Sequence, residues 1–434
     1  MEELKGIEYL RQKLAAKRGR IWTRYQYYEM KNAVRDFGIS TPPSLRYFFS
    51  TLGWCAKAVD TLASRLHFSE FETDDFGMTE IYRMNNADIL VDKAIQSALI
   101  CACSFIYVAI DDKDEPRLEV IDGSDATGII DEQTYLLKEG YAVLHRDDYG
   151  TPDVEAYFVP GETIIYRKDE EPESYPNPAL YPLLVPVIFN PDYKRPFGHS
   201  RISRACMDYT DMAIRTMKRS EISAEFYSFP QKYVVGTSPD LDQLDKWRAT
   251  MSSMLRFDKD EDGDKPTLGS FAQASMEPHL AQLRMVASLF AGETGLTMDD
   301  LGFPSDNPSS AEAIKASHET LRLTARRAQR DFGIGFVNAG YLASCIRDGL
   351  GYQRYQIYNT VPAWEPVFEP DMAALSGIGD AVGKINQAIP GYFDAGTLKK
   401  ITGIRGGENG GEEGYSAGAA EPDLDELWNE ATRK

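Results

Sequence analysis

The sequence lacks an excess of positive charge. Its 47 Lys and Arg residues stand against 67 Asp and Glu residues, which gives a formal net charge of −20. A protein that grips nucleic acid by releasing counterions is expected to be basic overall or to carry a basic domain. If this chain acts on DNA, we therefore expect it to handle DNA without holding it tightly.

Long apolar runs are also absent. No stretch of eighteen or more apolar residues occurs, so we expect no membrane span and no membrane partner. Glu2, Glu3 and Lys5 stand where the apolar core of a signal peptide would be needed. The prediction is a protein made in the cytoplasm and used there or in a particle assembled there.

Metal-binding patterns are scarce. The five cysteines form no pair of CxxC motifs, so they are interpreted as buried free thiols in a reducing compartment. Asp258, Asp260 and Asp262 match the first half of an EF-hand calcium loop, but Gly269 replaces the Glu at its twelfth position. We interpret this loop as a solvated acidic hairpin tip, with calcium binding as the weaker alternative, and expect no metal or cofactor.

Catalytic signatures are missing as well. The run from Gly379 to Lys384 resembles a phosphate loop, but its glycine spacing is too short and Ile385 replaces the Mg²⁺-binding Ser or Thr. Asp299 and Asp300 are adjacent carboxylates with no neighbouring His or Lys. We therefore predict no catalytic residues and a structural or interaction role. A nucleotide- or metal-dependent hydrolase is the competing hypothesis.

The residues that are present predict an α+β fold that is mainly helical, with 43% hydrophobic residues available for a core. Apolar periodicity predicts one or two helices over residues 3–36, then helices Leu45 to Leu66 and Asp88 to Ala102. Strands are predicted at Phe105 to Ile110, Arg117 to Ile121, Gly128 to Asp131, Ala142 to His145, Val154 to Val159 and Thr163 to Arg167, closed by the Pro-rich run Pro172 to Pro186.

The second half predicts two helices that flank a small insertion. These are Ser203 to Ser228 and Pro278 to Thr294, with short strands and a helix (Leu241 to Leu255) between them, and a loop follows over 295–308. A long helix is then predicted from Ser309, capped with Glu312, to Leu350, with a kink at Gly333 and Gly335. Beyond it we predict a strand at Tyr352 to Tyr358, helices at 371–388 and 397–401, and a disordered tail from Arg405, whose last dozen residues are a candidate docking helix.

Basic residues cluster on two of these helices. Arg215, Lys218 and Arg219 share one helical sector of the first flanking helix with Asp211. Four arginines of the long helix form a second cluster: Arg322, Arg326, Arg327 and Arg330. This second cluster is either a nucleic-acid patch or an intersubunit face paired with acids of a neighbour, and the negative net charge favours the intersubunit face.

The order of helix, small insertion, returning helix, loop and long helix resembles the portal proteins of tailed bacteriophages, the head-to-tail connectors. The resemblance covers most of residues 40–405. Three stretches carry it: GHSRISRACMDYTDMAIRTMKRSEISAEFYSFPQKYVVG (Gly198 to Gly236), LFAGETGLTMDDLGFPSDNPSSAEAIKASHETLRLTARRAQRDFG (Leu289 to Gly333) and PAWEPVFEPDMAALSGIGDAVGKINQAIPGY (Pro362 to Tyr392).

The resemblance implies a ring of subunits, commonly twelve, around a DNA channel at one capsid vertex of the virion. Its implied partners are copies of itself, the packaging terminase, neck or adaptor proteins, the major capsid and scaffolding proteins, and double-stranded DNA that passes through without sequence-specific binding. The motor ATPase would be the terminase. A different phage head or neck protein without a channel, such as a capsid or adaptor protein, is the alternative.

Carried onto this chain, the portal pattern implies a series of segments. They are a wing (1–200), a first stem helix (201–229), a clip (230–276), a second stem helix (277–295), a tunnel loop (296–310), a long wing helix (311–350), a small crown (351–405) and an acidic Gly-rich tail (406–434). The implied channel residues are Met298, Asp299, Asp300, Leu301 and Phe303 in the loop and Arg215, Lys218 and Arg219 on the stem. Arg322, Arg326 and Arg330 are expected at the subunit interface.

Overall fold

The computed structural model describes residues 4–35, 49–111, 113, 115–228, 232–235, 267–270, 275–304, 311–368, 370 and 372–404. The chain divides into two compact units, residues 1–362 and 363–434. The helices are α1 (Ile7–Tyr28), α2 (Trp54–Ala63), α3 (Met78–Met84), α4 (Ala87–Cys101), α5 (Arg204–Ser228), α6 (Glu277–Thr294), α7 (Ala311–Ser317), α8 (Glu319–Asp348), α9 (Met372–Ala388) and α10 (Ala395–Thr402). The strands are β1 (Phe68–Glu72), β2 (Cys103–Ile110), β3 (Pro116–Ile121), β4 (Ala126–Ile130), β5 (Leu137–Arg146), β6 (Pro152–Val159), β7 (Glu162–Arg167), β8 (Glu173–Pro176), β9 (Leu184–Ile188), β10 (Lys232–Val235), β11 (Thr267–Ser270) and β12 (Val361–Trp364).

The strands form small sheets. A three-stranded antiparallel sheet has the order β3-β2-β9, and a five-stranded antiparallel meander has the order β4-β5-β6-β7-β8. β1 lies beside β12, and β10 pairs with β11. Short turns join the meander strands, and Asp147 shapes one of them by accepting hydrogen bonds from the amides of Tyr149 and Thr151.

Helix α1 packs on the meander and is anchored at its start. Leu10 and Leu14 are buried against Tyr141 and Tyr157. The carboxylate of Glu139, 1% exposed on β5, accepts hydrogen bonds from the amides of Lys5 (2.8 Å) and Gly6 (3.1 Å) and from the Tyr157 hydroxyl (2.9 Å). Since the first amides of a helix have no partner within the helix, this acid satisfies groups that would otherwise be orphaned.

Helix α8 is the central helix of the first unit. Its second half is buried almost without interruption from Phe332 to Ile346, and it packs against β2, β3, β9 and α3. The Tyr82 hydroxyl donates a hydrogen bond to the Phe336 carbonyl at 2.8 Å, which ties α3 to this helix. A helix of 30 residues is about 45 Å long, so one end can lie in the core while the other reaches beyond it.

Gly333 and Gly335, where a kink is predicted, lie within the continuous helix α8. The helix is interrupted at His318, between α7 and α8, and it runs on through Gly333 and Gly335. A Cβ atom at Gly333 would lie 2.6 Å from Pro362 Cγ, and one at Gly335 would lie 3.0 Å from the Pro186 carbonyl oxygen. These glycines allow close packing of α8 on its neighbours. Residues 305–310, and with them the predicted cap at Ser309, lie outside the described part of the chain.

Two other predicted elements are corrected. In the described part of the helix predicted at Leu45 to Leu66, only Trp54–Ala63 is helical, because Gly53 and the hydroxyl residues Ser50 and Thr51 favour a non-helical backbone over 49–53. The strand predicted at Tyr352 to Tyr358 is a single 3-10 turn, Arg354–Ile357, closed by a reciprocal capping box between Gln353 and Gln356. Strands β1, β8, β9 and β12 and helix α3 were not predicted, and β8 and β9 lie in or beside the Pro-rich run.

The predictions for α1, for the strands of the first half and for the cysteines are confirmed. Of residues 3–36, the described ones contain one helix, α1. The six strands predicted in the first half are present, and the largest boundary difference is at β5, which begins at Leu137 and not at Ala142. All five cysteines are free and buried, as expected. In the described residues no group of three or more His, Cys, Asp or Glu could hold a metal ion, and no helix is long and apolar enough to cross a membrane. Asp258, Asp260, Asp262, the helix predicted at 241–255 and the tail from 405 lie outside the described residues.

The second unit contains α9 and α10. The Asn386 side chain closes the connection between them, since its amide nitrogen donates to the Phe393 carbonyl (2.9 Å) and its oxygen accepts from the Phe393 amide (2.8 Å). Asp394 caps α10 by accepting a hydrogen bond from the Thr397 amide. Both predicted helices after residue 370 are therefore confirmed.

Candidate functional site

The candidate site begins with an antiparallel pair of helices, α5 and α6. The Ser203 hydroxyl, just before α5, donates to Glu293 at the end of α6 at 2.7 Å. Ser223, near the other end of α5, lies 3.2 Å from His279 Nε2 at the start of α6. Contacts at both ends fix the antiparallel pairing. In the chain between the two helices, β10 and β11 form a hairpin in register from Lys232–Ser270 to Val235–Thr267.

The base of this helical pair is held to the core by Arg201. Its guanidinium donates to the carbonyl oxygens of Ala58 (3.3 Å) on α2 and of Thr294, the last residue of α6. Its backbone amide donates to the Leu99 carbonyl at 2.8 Å. Burial lowers the pKa of Arg201, but the carbonyl of Thr294 at the C-terminal end of α6 carries partial negative charge that favours a cation. Arg201 therefore sets where the helical pair leaves the core.

The basic residues predicted on α5 lie on one half-buried side. Arg215, Lys218 and Arg219 are each partly exposed, and each has interactions within the chain. Asp211, one turn before Arg215, accepts hydrogen bonds from the Tyr27 hydroxyl (2.9 Å) and Asn32 (3.3 Å), so α5 is also tied to α1. Desolvation raises the pKa of Asp211, and the charge of Arg215 opposes that rise.

After α6 the chain turns sharply. Gly295 ends α6 with φ +69°, and a Cβ there would lie 2.9 Å from Thr320 Cγ2 on α8. A short 3-10 turn, Asp299–Leu301, follows. Its entry is closed by reciprocal hydrogen bonds, because Asp300 Oδ2 accepts from the Thr297 amide and hydroxyl (both 2.9 Å) and the Asp300 amide donates to the Thr297 hydroxyl (3.2 Å). These hydrogen bonds fix the conformation of the turn, and Gly295 before it lies close to Thr320 at the start of α8.

The predicted loop residues take different places in this turn. Asp299 is exposed, and Met298 and Phe303 are half-buried. Leu301 is only 8% exposed, so its side chain packs within the subunit. Asp300 has one carboxylate oxygen engaged by Thr297. Asp299 is therefore the most exposed of the five predicted loop residues in a single subunit.

The arginines predicted for the subunit interface also separate into two kinds. Arg322 forms a bidentate pair with Glu319 of the same helix, at 2.7 and 2.6 Å. Arg326 and Arg330 are exposed, and neither forms an ion pair within 4 Å in the described part of the chain. Arg322 is thus compensated within the subunit, while Arg326 and Arg330 are available to an external acid.

Two residues of this region were missed in the sequence. Thr297 could have been found from the sequence, since Thr297 and Asp300 have the spacing of a reciprocal cap. Arg201 could not, because its partners are the carbonyl oxygens of Ala58 and Thr294, which are 143 and 93 residues away in the chain.

The comparisons with known proteins can now be set beside this geometry. A family described as "Phage portal protein, SPP1 Gp6-like" matches residues 7–374. The chain belongs to this family of phage portal proteins. The portal protein of Mycobacterium phage L5 is 24% identical over 346 residues, and that of Mycobacterium phage D29 is 24% identical over 347 residues; each alignment covers 74% of this chain and 70% of the relative. The resemblance read from the sequence is confirmed.

Solved structures with a similar chain come from gene transfer agent (GTA) particles. A chain of the virion of a native particle is 15% identical with a TM-score of 0.44, and one from the neck of a native particle, computed with C12 symmetry, is 14% identical with a TM-score of 0.45. Each comparison covers 89% of this chain and 99% of the other.

Proposed function

We propose that this chain is a structural subunit of a ring-shaped portal in a phage virion, assembled in the host cytoplasm. The ring forms the DNA channel at one capsid vertex, takes part in packaging with the terminase, attaches the neck and releases DNA at infection. Its further partners are the capsid and scaffolding proteins. Membership of the portal family over residues 7–374 is the observation that carries the proposal.

We assign each segment of the chain to a part of the portal. The first unit up to residue 200 and α8 form the wing, α5 and α6 the stem, and β10 and β11 part of the clip. The turn at 296–304 belongs to the tunnel loop, residues 351–405 form the crown, and the acidic tail follows. The antiparallel pair α5–α6 supports this division, because Arg201 holds its base at the core and the strands β10 and β11 come between its two helices in the chain.

The negative net charge of the chain favours passage of DNA through the ring rather than tight binding of DNA. Twelve subunits would carry twelve times −20, a formal charge of −240. Like charge between such a ring and the phosphate backbone suppresses tight contacts. Asp299 adds repulsion at the exposed edge of the turn, while Arg215, Lys218 and Arg219 centre the duplex without trapping it.

Selective labelling tests this proposal. The native cysteines are buried and burial raises the pKa of their thiols, so they should react slowly with thiol reagents. A cysteine introduced as Asp299→Cys can then carry a gold label that electron microscopy locates on the assembled protein. We expect label at the central opening. The matched control is Tyr149→Cys, at a residue 95% exposed in the β5–β6 turn, which should place label on the outer rim. Asp299 label on the rim would reject the channel assignment.

A further inference from the structure

A pocket of about 380 Å³ in the first unit gathers positive charge. Four of its cations form a stripe on α1, with spacings of four, three and four residues, and a fifth comes from the loop before α5: Lys13, Lys17, Arg20, Arg24 and Arg195. The stripe extends over about 16 Å of helix. Phe197 and the backbone after α4 complete the wall. Such a concentration is unexpected in a chain with a net charge of −20.

Three of these cations donate to neutral backbone carbonyls, and Arg195 lies 3.4 Å from His199 Nδ1. Lys13 Nζ donates to the Gly128 carbonyl (2.6 Å), Lys17 Nζ to that of Ala126 (2.7 Å) and Arg24 to that of Cys101 (3.1 Å). Lys13 also lies 4.9 Å from the centre of the Phe197 ring. Within the described residues, no carboxylate forms an ion pair within 4 Å with any of the five cations.

The acids nearest to this pocket are committed elsewhere. Asp125 pairs with Arg146 at 2.5 Å. Asp122 accepts hydrogen bonds from Tyr25 and Ser97, and the buried Glu139 holds the start of α1. On the loop, Asp192 is bonded to His199 at 2.7 Å and to the Arg195 amide. Burial also keeps the thiols of Cys101 and Cys103 protonated by raising their pKa, so they add no negative charge.

The cations therefore repel one another without compensation. Burial, and then the charges of Lys17 and Lys5, lower the pKa of Lys13 to about 8, while the charge of Glu139 opposes the shift. Burial, Arg20 and Arg195 lower the pKa of Arg24. A bound anion would relieve this repulsion and restore the charge of Lys13.

We propose that this pocket binds a compact, multiply charged phosphate anion, such as an inorganic polyphosphate or the phosphate chain of a nucleotide. The volume lies within the range of small-ligand sites. A phosphate group carries about 1.5–2 negative charges near neutral pH, and a carboxylate carries one. Phosphate thus supplies the most charge in the space available, and the guanidinium of Arg24 suits its geometry. The proposal is independent of the channel role.

Calorimetric titration of the full chain at low salt and pH 7 tests the site. We expect tripolyphosphate to bind saturably with one site per subunit. Arg24→Gln should weaken binding about ten- to a hundredfold, the loss of one charge-assisted contact. Arg18→Gln is the matched control, since Arg18 is exposed on the same helix and does not line the pocket. It should leave the affinity within about twofold, and circular dichroism should show both variants folded.

Further titrations distinguish the two possible phosphate ligands from each other and from other anions. ATP binding as tightly as tripolyphosphate would assign a nucleotide, and much weaker ATP binding would assign an inorganic polyphosphate. Affinity should fall as pH rises through about 8, where Lys13 loses its proton, and Lys13→Gln should remove that dependence. Three results would overturn the proposal. They are no saturable binding of tripolyphosphate, an equal loss of affinity in Arg18→Gln and Arg24→Gln, or displacement of tripolyphosphate by a competitor of the same total charge. The competitors are duplex DNA and an acidic segment of a second copy of this chain.

Discussion

Gly335 offers a sharp test of how α8 packs in the core. It lies within the helix, where alanine is normally preferred, yet a Cβ atom there would be 3.0 Å from the Pro186 carbonyl oxygen and 3.1 Å from Val187 Cα. Both are backbone atoms of β9, and that strand is hydrogen-bonded to β2. The neighbouring strand therefore cannot yield as a flexible side chain would.

The expected effect of Gly335→Ala is the sum of two opposing terms. Replacing a helical glycine by alanine stabilises a helix by about 1 kcal/mol. Overpacking a close-packed contact costs about 1–3 kcal/mol. We expect Gly335→Ala to be neutral or to lower the free energy of unfolding by up to about 2 kcal/mol.

Gly292→Ala is the matched control in α6. No described atom outside its own helix turn would lie within 4 Å of a Cβ at Gly292, so this variant should gain the full helix term of about 1 kcal/mol. Urea unfolding followed by far-ultraviolet circular dichroism, with both variants in the same oligomeric state, measures the difference. If Gly335→Ala is stabilised as much as Gly292→Ala, close packing is not the reason for this glycine.

Three further predictions concern the loop, the interface and the basic pocket. Deleting residues 298–305 should lower DNA retention in packaged particles, because it removes the exposed Asp299 and the half-buried Phe303 of the turn; retention is measured by nuclease protection. Arg326→Glu combined with Arg330→Glu should reduce ring assembly in size-exclusion chromatography before it alters DNA passage, because both arginines are exposed and unpaired within the described subunit. Lys13→Met should raise stability at pH 7, since the folded state lowers the pKa of Lys13 to about 8 and so disfavours its charged form. This advantage should shrink as pH rises from about 8 toward 10.5, because the native chain then releases the proton and gains stability.

Each of these has a contrary outcome. Unchanged DNA retention would remove the turn from the mechanism, and rings of normal yield and mass in the double arginine variant would remove α8 from the interface. A stability difference between Lys13→Met and the unmodified chain that stays constant from pH 7 to 11 would contradict the uncompensated basic pocket.

Elements with a regular apolar period were predictable from the sequence. α4, α5, α6 and α9 follow helical spacing, and the meander strands alternate with clear turn signals such as that at Asp147. β8 and β9 were missed because prolines conceal a strand when only local propensity is considered, although Pro186 lies within β9 opposite Phe105 of β2. Pairing with neighbouring strands determines that these two segments are strands.

The candidate site was predictable in outline and not in its contacts. Chain order was enough to place the loop residues between α6 and the long helix, but the burial of Leu301 depends on how the turn packs. Arg201 is held by carbonyl oxygens distant in the chain, which no local pattern reveals. The basic pocket needs the loop at Arg195 to approach α1, and this approach exists only in the folded unit.

The mass of the assembled protein tests the central claim most directly. Native mass spectrometry of the purified chain should give a closed ring of about twelve subunits, twelve times 48.7 kDa or about 580 kDa, with a central opening in electron micrographs. A protein that stays a 48.7 kDa monomer under all conditions would contradict the portal account.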